Sequence, residues 1–115
     1  MEILEIEIRN VGEVKLLKLT GRLTLGDSAD RLRDTLDDLI GSGAHYFVID
    51  LSEVAMLDSS GIGLLVRYLT NSKQLGGSLK LLNPSNFAVR TLKMIGLLNL
   101  FEVFQDQAEA LASFK

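Results

Sequence analysis

The sequence has no cysteine, no tryptophan, one proline and one histidine. Without cysteine there is no disulfide framework, no thiolate metal site and no cysteine nucleophile, and a single histidine excludes a multi-histidine metal cage. Long hydrophobic runs are missing too. The apolar stretches Ile62–Val66 and Met94–Leu98 fall far short of the ~18 residues a membrane-spanning helix needs. The opening residues, Met1-Glu2-Ile3-Leu4-Glu5, alternate charge with aliphatics and lack the basic and apolar regions of a leader. These absences predict a cytoplasmic protein with no membrane insertion. Positive charge is also in short supply: 12 Lys and Arg stand against 15 Asp and Glu, a formal net charge of −3. Phosphate contacts need a basic surplus, so no direct nucleic-acid partner is expected.

What the chain does have is aliphatic mass. Of 115 residues, 47% are hydrophobic and 23% charged, the balance of a folded protein and not a disordered one. That length is one domain, spanning 1–115, which buries very roughly two-thirds of the surface its unfolded chain exposes.

The pattern along the chain predicts the elements. Leu4, Ile6 and Ile8 alternate with Glu5, Glu7 and Arg9, the period of a half-buried strand; Asn10 and Gly12 give a turn, and Val14, Leu16, Leu17 and Leu19 continue as a second strand. After Gly26, Asp27 or Ser28 is placed to cap a helix with apolar positions at Ala29, Leu32, Leu36, Leu39 and Ile40, ended by Gly41-Ser42-Gly43. Tyr46–Leu51 reads as a central strand, apolar without alternation. A loop over Ser52–Leu57 is expected next, then a helix from Asp58-Ser59-Ser60-Gly61 to about Leu75. Leu79–Leu82 gives a strand, and Asn83-Pro84-Ser85 opens a third helix. Phe101, Val103 and Phe104 form a last edge strand, and Gln107–Phe114 a closing helix. The order is β-β-α-β-α-β-α-β-α. Strands joined through helices run parallel while the opening hairpin is antiparallel. The expectation is therefore an α/β domain with a mixed sheet of about four to five strands and helices mainly on one face.

One loop carries more chemistry than the others. Asp58-Ser59-Ser60-Gly61 lies where a central strand hands over to a helix, the end of a parallel sheet at which functional loops gather. Backbone N–H groups at a helix N-terminus lack intrahelical partners, and the macrodipole adds partial positive charge. A phosphate on a serine there suits the local electrostatics. Asp, Ser and Gly are equally ordinary capping residues.

The surrounding segment is more specific. Val48-Ile49-Asp50-Leu51-Ser52-Glu53-Val54, followed by Met56-Leu57-Asp58-Ser59-Ser60-Gly61-Ile62-Gly63-Leu64-Leu65, closely resembles the signature of the STAS family, and within it the anti-sigma factor antagonists of bacteria. The resemblance extends over Gly21, Leu79–Pro84, Leu92–Leu98 and Leu100-Phe101, essentially the whole chain. It implies a switch and not an enzyme. The unphosphorylated antagonist binds a partner that is both anti-sigma factor and serine kinase, which frees the sigma factor. Phosphorylation of the first serine of the motif ends binding, and a phosphatase restores it. That serine corresponds to Ser59, with Ser60 the second candidate. The implied contact residues are Asp58, Ser59, Ser60 and Gly61, with Met56, Ile62 and Asp27 around them. No cofactor or metal is implied, and a monomer or weak dimer is expected. The pattern departs at residue 24: many antagonists carry Gly-Glu-Leu/Ile-Asp after the second strand, whereas this chain reads Gly21-Arg22-Leu23-Thr24. The alternative reading is a non-switching STAS scaffold or accessory subunit of a signalling or lipid-transport assembly.

Other signals are weak. Gly61-Ile62-Gly63 resembles part of a dinucleotide fingerprint, but Val66 replaces the third glycine. His45 reads as a surface residue and offers Ser59 no catalytic triad. The acids of the first helix form its solvated face, and Arg67, Lys73, Lys80, Arg90 and Lys93 read as scattered surface charge.

Overall fold

The computed structural model describes residues 3–114. Its strands and helices alternate after an opening hairpin: β1 (Glu5–Val11), β2 (Val14–Leu23), α1 (Asp27–Gly41), β3 (Tyr46–Leu57), α2 (Ser59–Gln74), β4 (Ser78–Leu82), α3 (Asn86–Met94), a 3-10 turn (Leu98–Leu100), β5 (Val103–Phe104) and α4 (Gln107–Ala112). The sheet order is β1-β2-β3-β4-β5. β1 pairs antiparallel with β2, and each later neighbour pairs parallel. The hairpin closes on two residues, with Val11 opposite Val14. Gly12 takes φ +61 there, a conformation glycine adopts without a Cβ penalty.

Alternation along the strands assigns their faces. Leu17, Leu19, Phe47, Ile49, Leu51, Leu79 and Leu81 point into the main core, which Leu32 and Leu36 of α1, Leu65 and Tyr68 of α2 and Leu92 of α3 complete. The opposite face carries Val14, Leu16, Val48 and Leu82, covered by Ala110 of α4. Three helices thus share one face and the last short helix covers the other, as expected of helices packed mainly on one side.

Four local expectations are corrected. The segment Ser52–Leu57 is not a loop: β3 continues through Leu57, following β2 across two register shifts between Lys18 and Thr20 and between Gly21 and Arg22. Such bulges let a ladder continue where alternation breaks. α1 starts at Gly26 as its cap, without a side-chain cap bond. The Ser28 hydroxyl instead turns back, donating to Thr24 O at 2.8 Å and accepting from Thr24 N at 3.0 Å. Phe101 lies outside the last strand, buried after the 3-10 turn. Lys80 is not surface charge: it is 5% exposed. Its ammonium donates to Ser113 Oγ at 2.8 Å and Ser113 O at 3.2 Å. The same Nζ pairs with Glu102 at 3.1 Å and sits 4.3 Å from the Phe114 ring centre.

Candidate functional site

The site forms where β3 ends and α2 begins. Asp58 adopts extended backbone and caps α2, its Oδ1 accepting from Gly61 N at 3.0 Å. Its second oxygen, Oδ2, accepts from Leu25 N at 2.9 Å, and Asp58 N donates to Leu23 O at 3.3 Å. One carboxylate therefore ties the β2–α1 loop to the start of α2. Burial of this carboxyl raises its pKa, and the backbone N–H donors of Leu25, Gly61, Ser60 and Asp58 itself outweigh that, leaving it below the ordinary value of 3.8. Hydrogen bonds to the charged form are the cause. The clamp is charged at neutral pH.

Ser59, the first residue of α2, is exposed, and Ser60 behind it is half-buried. Among the described residues, neither hydroxyl is engaged by a hydrogen bond. Gly61 is buried for a steric reason. A Cβ at that position would lie 2.5 Å from Leu23 O and 2.7 Å from the Leu23 side chain, so only glycine lets the first turn of α2 approach the end of β2 this closely.

Around the serine, the flanking apolar residues divide. Leu57 and Ile62 are buried, Ile62 at 3% exposure, and both belong to the main core. Met56 is 40% exposed on the last residues of β3, opposite Arg22. Asp27 is exposed in the first turn of α1 and lines a shallow acidic groove with Asp30, Arg31, Asp34 and Asp38. It does not take part in the Asp58 clamp, whose partner from that loop is Leu25. Leu25 itself is 79% exposed, and sequence reading passed over it. Its only local signal was an aliphatic residue between Thr24 and Gly26, because the bond that fixes it joins residues 33 positions apart.

The chain's one histidine does not stand beside Ser59. His45 precedes β3, at the far end of a 12-residue strand from Asp58. Among the described residues, no three His, Cys, Asp or Glu side chains gather as a metal site, and no helix is long and apolar enough to cross a membrane.

The family described as STAS domain matches residues 5–110. An anti-sigma F factor antagonist of Paenibacillus polymyxa is 25% identical over 113 residues, 97% of this chain and 96% of the relative. An anti-sigma-B factor antagonist of Bacillus subtilis is 36% identical over 76 residues, 66% of this chain and 69% of the relative. The solved anti-sigma factor antagonist SpoIIAA in its unphosphorylated form superposes with a TM-score of 0.82 at 22% identity, covering 95% of each chain. The phosphorylated form of the Bacillus protein gives 0.76 at 22% identity, covering 96% of this chain and 100% of that one. At that identity the superposition speaks for the fold.

Proposed function

The chain belongs to the STAS domain family, and from that premise we propose that it is an anti-sigma factor antagonist that works by partner switching, with Ser59 as its phosphorylation site. The unmodified form binds an anti-sigma factor that is also a serine kinase and so releases a sigma factor. Phosphorylated Ser59 prevents that binding, and a phosphatase reverses it. The observation that carries the reading is an exposed serine at the first position of α2, held beside a carboxylate that braces the neighbouring loop.

The physics is simple. A phosphate adds about −1.5 to −2 charges at pH 7. At α2's N-terminus it meets the positive end of the macrodipole, so the modified domain stays folded. Inside a docked interface the same group has to be desolvated. A difference of ~1.4 kcal/mol already changes affinity tenfold, so a modest mismatch opens the switch. Leu25 and Met56, both exposed, supply apolar contact, Leu25 from the loop that Asp58 braces and Met56 from the end of β3, with Asp58, Ser60 and Gly61 shaping the turn.

The test is phosphorylation by the serine kinase that co-purifies with the chain. With ATP, intact-mass measurement should show one phosphate on the wild type and on Ser60→Ala, and none on Ser59→Ala. A wild-type chain that remains unmodified, or a Ser59→Ala chain that gains the phosphate, removes this reading.

A further inference from the structure

Strand β1 forms one edge of the sheet, and among the described residues its outer side has no backbone partner, a template for another strand. The hairpin tells which ones. In a two-residue hairpin the closing pair, here Val11 and Val14, is hydrogen-bonded, and bonded and non-bonded pairs then alternate. Arg9, Glu7 and Glu5 therefore spend their N–H and C=O groups on β2, and Asn10, Ile8 and Ile6 direct theirs outward. Natural edges often carry charged residues that discourage such pairing, and here the charges are of both signs. Ile8 is 43% exposed, flanked by exposed Glu7 and Arg9 of opposite charge. Among the described residues, neither Glu7 nor Arg9 has an ion pair on its own chain.

We infer that β1 is a homodimerisation edge: two copies pair antiparallel about a two-fold axis at Ile8, with Glu7 of each chain against Arg9 of the other. The backbone ladder limits the permitted registers, and charge selects this one among them. The outward-facing residues match, Ile8 on Ile8 and Ile6 on Asn10, so the backbone ladder closes. Glu7 and Arg9 then fall at non-hydrogen-bonded positions, where side chains lie closest across the strands. Shifting by one permitted step places Glu7 on Glu7 or Arg9 on Arg9, so like charges oppose each neighbouring register. The partner is a second copy because the arrangement is self-complementary, as an isologous interface requires. Growth stops at two: the other edge, β5, is only two residues long and gives a β1 strand little to pair with.

The result is a continuous ten-stranded sheet in which Ile8 side chains cover each other on the face of α1. Because the axis reverses one copy, the two Ser59 loops lie at opposite ends of the sheet, both open. Edge pairing alone buries less than the ~1,200 Å² of a standard stable interface, so association is concentration-dependent. It does not rest on phosphorylation of Ser59.

Sedimentation equilibrium of the full chain, over a wide concentration range, tests this. The wild type should show a reversible monomer–dimer equilibrium that weakens with salt. Arg9→Glu and Glu7→Arg should each weaken it about tenfold, since two attractive cross-strand pairs become repulsive. Mixing the two variants should restore the dimer as a heterodimer, and the double swap Glu7→Arg/Arg9→Glu should restore it as a homodimer. Circular dichroism checks that all variants fold. A wild type monomeric at the highest soluble concentration overturns the inference; so does a dimer indifferent to the single swaps, or single-variant losses that mixing does not restore.

Discussion

Asp58 performs two jobs with one side chain. Oδ1 caps α2 and Oδ2 holds Leu25, so the loop displaying Leu25 and the turn displaying Ser59 move as one body. The sign of its pKa shift sets when this holds: a carboxyl depressed in the folded state contributes stability above its unfolded value of 3.8 and loses it as pH falls through the folded one. Ser59 itself has no structural duty visible in its surroundings. Ser59→Glu should therefore weaken kinase binding at least tenfold in a titration while the thermal midpoint stays within a degree or two, because a carboxylate at the first turn of a helix is tolerated. A large drop in midpoint would assign Ser59 a structural role instead. Asp-Ser-Ser-Gly was legible as a chain signal, and so was its position at a strand–helix junction. That Gly61 is obligatory because Leu23 O stands where its Cβ would go was not, since the contact comes from another element.

At the scale of elements, the question is what keeps α2 in place behind its serine. Tyr68, fully buried, donates its hydroxyl to Asp37 Oδ1 and lies near Arg33 O, both on α1. Burial, and then the Asp37 carboxylate as acceptor and as charge, raise the Tyr68 pKa from 10.0 to about 12. Tyr68→Phe should lower stability by about 1–2 kcal/mol in urea unfolding, the net worth of a bond to a charged acceptor. The pH profile should differ as well. A phenol with its pKa raised on folding contributes fully below pH 10 and loses its contribution as pH rises toward about 12, so the wild type's advantage over Tyr68→Phe should vanish across that window. Along α2 Tyr68 lies three residues after Leu65 and shares its buried face; only the packing of two helices reveals the polar end.

Across the whole molecule, the proposed switch site and the α4 anchor occupy opposite ends. Ser59 lies where the parallel strands finish, and α4 covers the second face of the sheet near where they begin, anchored by Lys80. Lys80 pairs with Val48 on β3, nine residues before Leu57, roughly 30 Å at strand rise. Lys80→Ala should cost about 2 kcal/mol of stability and raise amide exchange over 107–114, while affinity for the partner at the Ser59 loop is unchanged. A loss of affinity equal to the loss of stability would show the two ends to be coupled. Charge acts at this scale too: one phosphate takes the formal net charge from −3 to about −5.

The amino-acid pattern by itself determined the element order, the mixed sheet and the strand–helix junction at Asp58-Ser59-Ser60-Gly61, because periodicity, glycine turns and such a junction are properties of neighbours along the chain. The tertiary structure decided what depends on distant neighbours. It continued β3 through Ser52–Leu57 by pairing with a bulged β2. It buried Lys80 among residues more than 20 positions away, and sent Ile62 to the core while leaving Met56 and Leu25 outside. Exposure and long-range hydrogen bonds come into being only when the chain closes on itself, and the surface around Ser59 is made of both.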